Sequence, residues 1–197
     1  ESGRMNDLIV MTGNMAHPPN VAAAHFVCRD VFPRVRRAVP TAQLWIVGAA
    51  PTPEVLRWGK TEGISVTGAV PDVRAYLTKA CVAVCGVPVM IGAQTKVLEA
   101  LACGTPVVTT AAGNYDTRGI HGEHLYVADD PDTFAGCVVR LLRRERWTEM
   151  SESGRRLVET RFNPTRAGAD LEHLVEAAIA ARTSTSGHPR GDRGARP

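Results

Sequence analysis

The chain has 197 residues, of which 44% are hydrophobic and 22% charged, with a formal net charge of +3. That is enough for one domain with a full core, and the small positive excess gives no nucleic-acid footprint. No apolar run nears the 18 residues of a membrane span and no secretory signal is seen, so a soluble cytoplasmic protein without a transmembrane segment is expected.

Strand-like and helix-like segments alternate. Leu8 to Gly13 (LIVMTG) is a short apolar run closed by glycine, the pattern of a strand buried on both faces. Asn20 to Val39 reads as a helix with Val21, Ala24, Val27, Val31 and Val35 near one face, kinked or split by Pro33. Leu44 to Gly48 is a second strand, Pro53 to Lys60 a short helix with proline in its first turn, and Ile64 to Gly68 a third strand. Asp72 caps a helix running to Lys79. Cys81 to Gly86 is the fourth strand, and Thr95 to Cys103 a helix ended by Gly104. Pro106 to Thr110 and His124 to Ala128 supply the fifth and a short sixth strand. Helices fill Pro131 to Arg144, Thr148 to Arg161 and Pro164 to Arg182.

This order predicts an α/β fold: a doubly wound parallel, Rossmann-like sheet covered on both faces. Ligands in such sheets sit at the carboxyl ends of the strands. The loops after Gly13, Gly48, Gly68, Gly86 and Thr110 are therefore expected to line the site. The domain is expected over residues 1–183, followed by a disordered tail, Ser184 to Pro197, that lacks apolar periodicity. Cys28, Cys81, Cys85, Cys103 and Cys137 lie in apolar stretches with no CxxC pair and read as buried free thiols. Glu1 stands where an initiator methionine would, as in a piece of a longer protein or a processed chain.

The segment richest in chemistry is Gly86 to Val108, GVPVMIGAQTKVLEALACGTPVV. Gly92 precedes a helix N-terminus, whose amides and dipole favour an anion such as a pyrophosphate. Lys96 sits in the first turn, where a cation opposes the dipole unless an anion is bound. Glu99 lies one turn on, and a carboxylate accepts two hydrogen bonds from a ribose diol. The same spacing suits an ordinary Lys–Glu surface pair. No GxGxxG, GxxxxGK[ST] or GxSxG is present, which removes the main support for dinucleotide, P-loop and nucleophilic-hydrolase readings.

KVLEALACGTPVV, with Gly92 and Gln94 before it, resembles the donor-binding motif of GT-B glycosyltransferases of the glycogen-synthase-like group, family GT4. Within that group it is most similar to sugar transferases linked to exosortase and exopolysaccharide clusters, which carry GIQNKVLEAMAMG. VMTGNMAHPPNVAAAHF, IVGAAPTPEV, VTGAVPDVRAYLTKA and GEHLYVADDPDTFAGCVVRLL resemble further segments of the group in the same order, so the similarity covers Leu8 to Leu174.

The resemblance implies the C-terminal half of a GT-B fold, the half that binds the nucleotide-sugar donor. Glu99 would bind the ribose hydroxyls, and amides around Thr95 and Lys96 the diphosphate. Gly13 would let the first loop approach the phosphate or sugar, and backbone near Val70 would face the base. Gln94 and Lys96 match the QNK of the subgroup, with Thr95 in place of Asn. Two positions depart from the pattern. Ile91 stands where GT4 enzymes often carry a glutamate that meets the donor sugar, and Pro88 and Ile91 stand where the subgroup has loop arginines.

The implied reaction is a retaining transfer, without metal or cofactor, from a UDP- or GDP-linked sugar to a glycan or lipid-linked acceptor. The acceptor would sit mainly in an N-terminal domain that this chain lacks, and that domain would supply any peripheral membrane association. Donor binding with little or no transfer is thus expected of the chain alone, and no catalytic residue is assigned. Two other readings stay open: an isomerase such as a sugar-nucleotide 2-epimerase, and a non-catalytic nucleotide-binding or scaffold module. The HxxH pair His121 and His124 reads as a turn rather than a metal site, and Asp130 and Asp132 as the start of a helix. His17, in the first loop, reads as solvated.

Overall fold

The computed structural model describes residues 3–89, 92 and 94–162. The chain divides into two compact units, Glu1–Glu159 and Thr160–Pro197. The expected helix from Pro164 to Arg182, the domain limit at residue 183, the tail from Ser184 and the loop position Ile91 lie outside the described residues.

Six parallel strands form one sheet: β1 (Leu8–Thr12), β2 (Gln43–Val47), β3 (Ile64–Gly68), β4 (Val82–Cys85), β5 (Val107–Thr109) and β6 (Tyr126–Val127). Their order is β3-β2-β1-β4-β5-β6, so the chain reverses direction across the sheet between β1 and β4. This is the doubly wound α/β topology that the alternation predicts. β1 and β4 are buried at every position because helices cover both their faces, which is why each reads as an unbroken apolar run. β3 at the edge is only partly covered, and its residues alternate. β1 pairs with β2 from Leu8 opposite Gln43 to Thr12 opposite Val47, which brings both carboxyl ends to one level.

The remaining elements are α1 (Pro18–His25), α2 (Phe32–Ala38), α3 (Pro53–Trp58), α4 (Arg74–Leu77), α5 (Thr95–Ala102), α6 (Ala111–Asn114), α7 (Pro131–Leu142) and α8 (Trp147–Arg161). One layer holds α1, α2, α3 and α7; the other holds α4 and α5, with α8 seated on Leu101 of α5 at Gly154. The helix expected from Asn20 to Val39 starts earlier, at Pro18, and is neither broken nor sharply interrupted. A π-helical segment, Phe26–Val31, joins α1 to α2, and the Phe32 N–H reaches five residues back to the Val27 carbonyl. Pro33 has no N–H to give and its ring would press on the preceding turn, so the wider turn upstream absorbs it. The short α6 was not expected; Thr110 caps it by accepting from the Gly113 N–H at 3.1 Å.

Arg4 fixes the far end of the α5 region. Its guanidinium donates to the carbonyls of Ala80 (2.9 Å), Cys103 (2.9 Å) and Gly104 (3.0 Å) and to Thr105 Oγ1 (2.9 Å). The strand entries of β4 and β5 and the end of α5 are thereby tied to one side chain. Trp147 adds a second tie, donating from Nε1 to the Cys81 carbonyl at 2.7 Å.

Candidate functional site

The carboxyl ends of β1, β2 and β3 open into a cleft of about 430 Å³, within the range of small-molecule sites. One wall is made by the three strand-end loops, at Gly13 and Asn14, Gly48 and Ala49, and Ala69 and Val70. The first turns of α5 make the other, through Thr95, Lys96 and Glu99.

Two glycines allow the loop wall to form. Gly13 has φ 155° and Gly48 has φ 153°, a region that L side chains rarely enter. A Cβ on Gly48 would lie 1.7 Å from the Gly13 carbonyl oxygen. The loops after β1 and β2 thus touch backbone to backbone and present main chain to the cleft.

The α5 wall is built from side chains. Gln94 is its N-cap residue but makes no side-chain capping bond, and no acid lies in the first turn. The helix dipole at this end is therefore not offset by a carboxylate. Lys96 adds a full positive charge to the same turn. Its ammonium donates to Oδ1 of Asn20, a buried residue of α1, and makes no ion pair with Glu99. The Lys–Glu surface pair that the spacing also allowed is thus not formed. Glu99 is exposed on the cleft wall.

Of the residues singled out from the sequence, Gly13, Val70, Thr95, Lys96 and Glu99 come together around this cleft. Gly92 and Gln94 stand beside it, in the loop before α5. Gln94 is buried and its Nε2 donates to the Gly92 carbonyl at 3.4 Å, while Gly92 is exposed with φ 64°. None of the described residues from Gly86 to Val89, or in the loop after Thr110, lines the cleft. A Cβ at Gly86 would meet Phe26 at 2.8 Å, so Gly86 itself is packed against the helical layer, and Thr110 Oγ1 donates to the Val87 carbonyl at 2.6 Å. Asn20 lines the cleft and was not singled out. It lies in the VMTGNMAHPPNVAAAHF segment that resembles the group, but no spacing ties it to Lys96, which is distant in sequence.

Other candidates have structural roles. His121 and His124 each accept a backbone N–H at Nδ1, from Val127 and Ile120, both at 3.0 Å. Asp130 accepts from the Thr133 N–H at 2.8 Å and caps α7, which holds its carboxyl below the ordinary value. Asp132 pairs with Arg34 at 2.6 Å, and Asp129 accepts from the Ala111 N–H at 2.8 Å. His17 is exposed at the start of α1. Among the described residues no group of three or more His, Cys, Asp or Glu is placed to hold a metal ion, and no helix is long and apolar enough to cross a membrane.

Solved structures with this fold include a variant of S. aureus TarM in complex with fondaparinux, α-GlcNAc-glycerol and UDP. It is 12% identical with a TM-score of 0.71, over 89% of this chain and 36% of that one. Anabaena HepE in complex with UDP-glucose is 13% identical with a TM-score of 0.67, over 87% and 49% respectively. The chain therefore spans less than half the length of either. The C-terminal domain of a glycosyl transferase group 1 family protein, LpcC from Francisella tularensis, is 17% identical with a TM-score of 0.65, over 80% of this chain and 87% of that one. No curated protein matches the chain. The fold is thus that of a domain found in GT-B glycosyltransferases. A family model, glycosyl transferases group 1, matches residues 6–144, the span that holds all six strands and both walls of the cleft, and the chain belongs to that family.

Proposed function

We propose that this chain is the donor-binding half of a retaining glycosyltransferase of the GT4 type, acting in the cytoplasm on a nucleotide-linked sugar. The observation that carries the reading is the cleft itself. A wall of strand-end backbone faces a helix N-terminus on which Lys96 and Glu99 lie one turn apart. A nucleoside diphosphate has the matching chemistry: an anion for the helix terminus and Lys96, a ribose diol for Glu99, and a flat base for the backbone at Val70. TarM and HepE, which share the fold, are described with UDP or UDP-glucose, which supports a uridine nucleotide as the first ligand to test.

In the transfer, the bond between the anomeric carbon and the β-phosphate oxygen breaks. A bond to an acceptor hydroxyl oxygen forms, and the proton of that hydroxyl passes to the departing diphosphate. Negative charge grows on the departing diphosphate, where the Lys96 ammonium and the dipole of α5 stabilise it. The acceptor, a glycan or a lipid-linked sugar, is held by a second Rossmann-like domain, and closure of the two assembles the active centre. Exopolysaccharide assembly of the exosortase-linked kind suits the Gln94–Lys96 motif.

Calorimetric titration with UDP, GDP and ADP, repeated on Glu99→Ala, tests the reading. Saturable binding of one nucleotide, weakened about tenfold or more by loss of the two ribose hydrogen bonds, is expected. Equal affinity of the wild type and Glu99→Ala for that nucleotide would remove Glu99 from the site.

A further inference from the structure

Asn20 is 6% exposed and is among the few buried polar side chains of the described residues. Its amide has two partners of opposite kind. Nδ2 donates to the Asn14 carbonyl at 2.8 Å, and Oδ1 accepts from the Lys96 ammonium. A carbonyl only accepts and an ammonium only donates, so the two partners fix which way the amide points. Gly13 makes room for it, since a Cβ there would come within 2.9 Å of Asn20 Nδ2. One side chain thus joins the strand-end wall of the cleft to the helix wall.

The acceptor offered to Lys96 is neutral. A carboxylate at this place would hold the ammonium as firmly but cancel its charge. An amide oxygen orients the ammonium, keeps the full positive charge, and leaves two of its three N–H donors to be given elsewhere. It also steadies a cation that the α5 dipole disfavours when the cleft is empty.

Resting on the donor-binding reading, we propose that Asn20 is a positioning residue, holding the Lys96 ammonium over the cleft, charge intact, for the diphosphate of the donor. The consequence is selective. Disturbing Asn20 alters binding of the phosphates and leaves binding of the nucleoside as it was.

The test is titration of the full chain with UDP, uridine and inorganic pyrophosphate. The proteins are wild type, the near-isosteric Asn20→Asp, Asn20→Ala, Lys96→Ala and the Asn20→Ala/Lys96→Ala double variant, each checked by thermal melting. For Asn20→Asp, affinity for UDP and pyrophosphate is expected to fall about tenfold or more, with uridine unchanged. For Asn20→Ala a loss of about threefold or more is expected, and in the Lys96→Ala background no further loss. Equal losses for UDP and uridine, or an undiminished Asn20→Ala effect without Lys96, would overturn the proposal in favour of a merely structural role. If the wild type binds pyrophosphate but not UDP, the donor reading fails and the pyrophosphate cycle still decides on Asn20. If it binds neither, both fall.

Discussion

Gly48→Ala puts the geometry of the cleft under the most direct strain. The added Cβ would lie 1.7 Å from the Gly13 carbonyl oxygen, about half the distance at which carbon and oxygen normally meet. The atom it meets is main chain at the end of β1, the central buried strand, so no rotamer change relieves the contact. The φ of 153° adds its own cost of about 1–3 kcal/mol for a residue with a side chain. Forcing the two strand ends apart adds about 1–3 kcal/mol of overpacking. A total loss of about 4 kcal/mol lowers the melting temperature by about 8–16 °C in a chain of this size. Gly68→Ala is the control. Gly68 also has positive φ, 72°, but a Cβ there meets nothing within 4 Å, so about 1 kcal/mol is expected. Urea unfolding of the two variants and the wild type, followed by circular dichroism, reads the difference. Equal destabilisation would mean that the β1 and β2 loops are not in backbone contact, and the loop wall of the cleft would have to be redrawn.

Arg4→Ala should cost about 2 kcal/mol, because several carbonyls and Thr105 lose a shared charged donor, and the melting temperature should fall by about 4–8 °C; a shift under 1 °C would show that water replaces it. Burial pushes the thiols of Cys28 and Cys81 up to about 12 and about 11. The folded protein then keeps protons that the unfolded chain releases above about pH 9, so stability is complete below that pH and declines as pH rises towards 11 and 12. Urea midpoints at pH 8, 9 and 10 should fall in order, with a shallower fall for Cys28→Ala. Under native conditions at pH 8, iodoacetamide should modify Cys103 first, since it is partly exposed while the other four thiols are buried; early labelling of Cys28 would contradict the packing of the helical layer.

What the sequence made legible follows from how each feature is encoded. β1 and β4 are buried on both faces and appear as continuous apolar runs with nothing polar to obscure them. Asp130 and Gly104 act through the two or three residues beside them, so the ends of α7 and α5 are read locally. The junction of α1 and α2 is less direct. Pro33 announces an irregularity, but whether a helix breaks or widens depends on packing. Here the π segment keeps Val27, Cys28 and Val31 buried in the core, packed on α7. The four residues of α6 are too few to show a period, and depend on Thr110 and on Asp129 across a loop.

The cleft divides along the same line. Its loop wall turns on Gly13 and Gly48, which have no side chain and whose backbones touch, so what defines it there is the path of the main chain. Its helix wall presents Lys96 and Glu99 on α5, and Asn20 on α1 joins that wall to the strand ends. Lys96 and Glu99 are visible as a spacing on one helix. Asn20 is not, because what matters about it is a contact with a residue on another element that only the closed sheet provides. On the donor-binding proposal, Lys96 is the one cation that lines the cleft among the described residues. On that proposal its ammonium must be held in place with its charge intact, and the neutral, buried amide of Asn20 orients it without cancelling that charge.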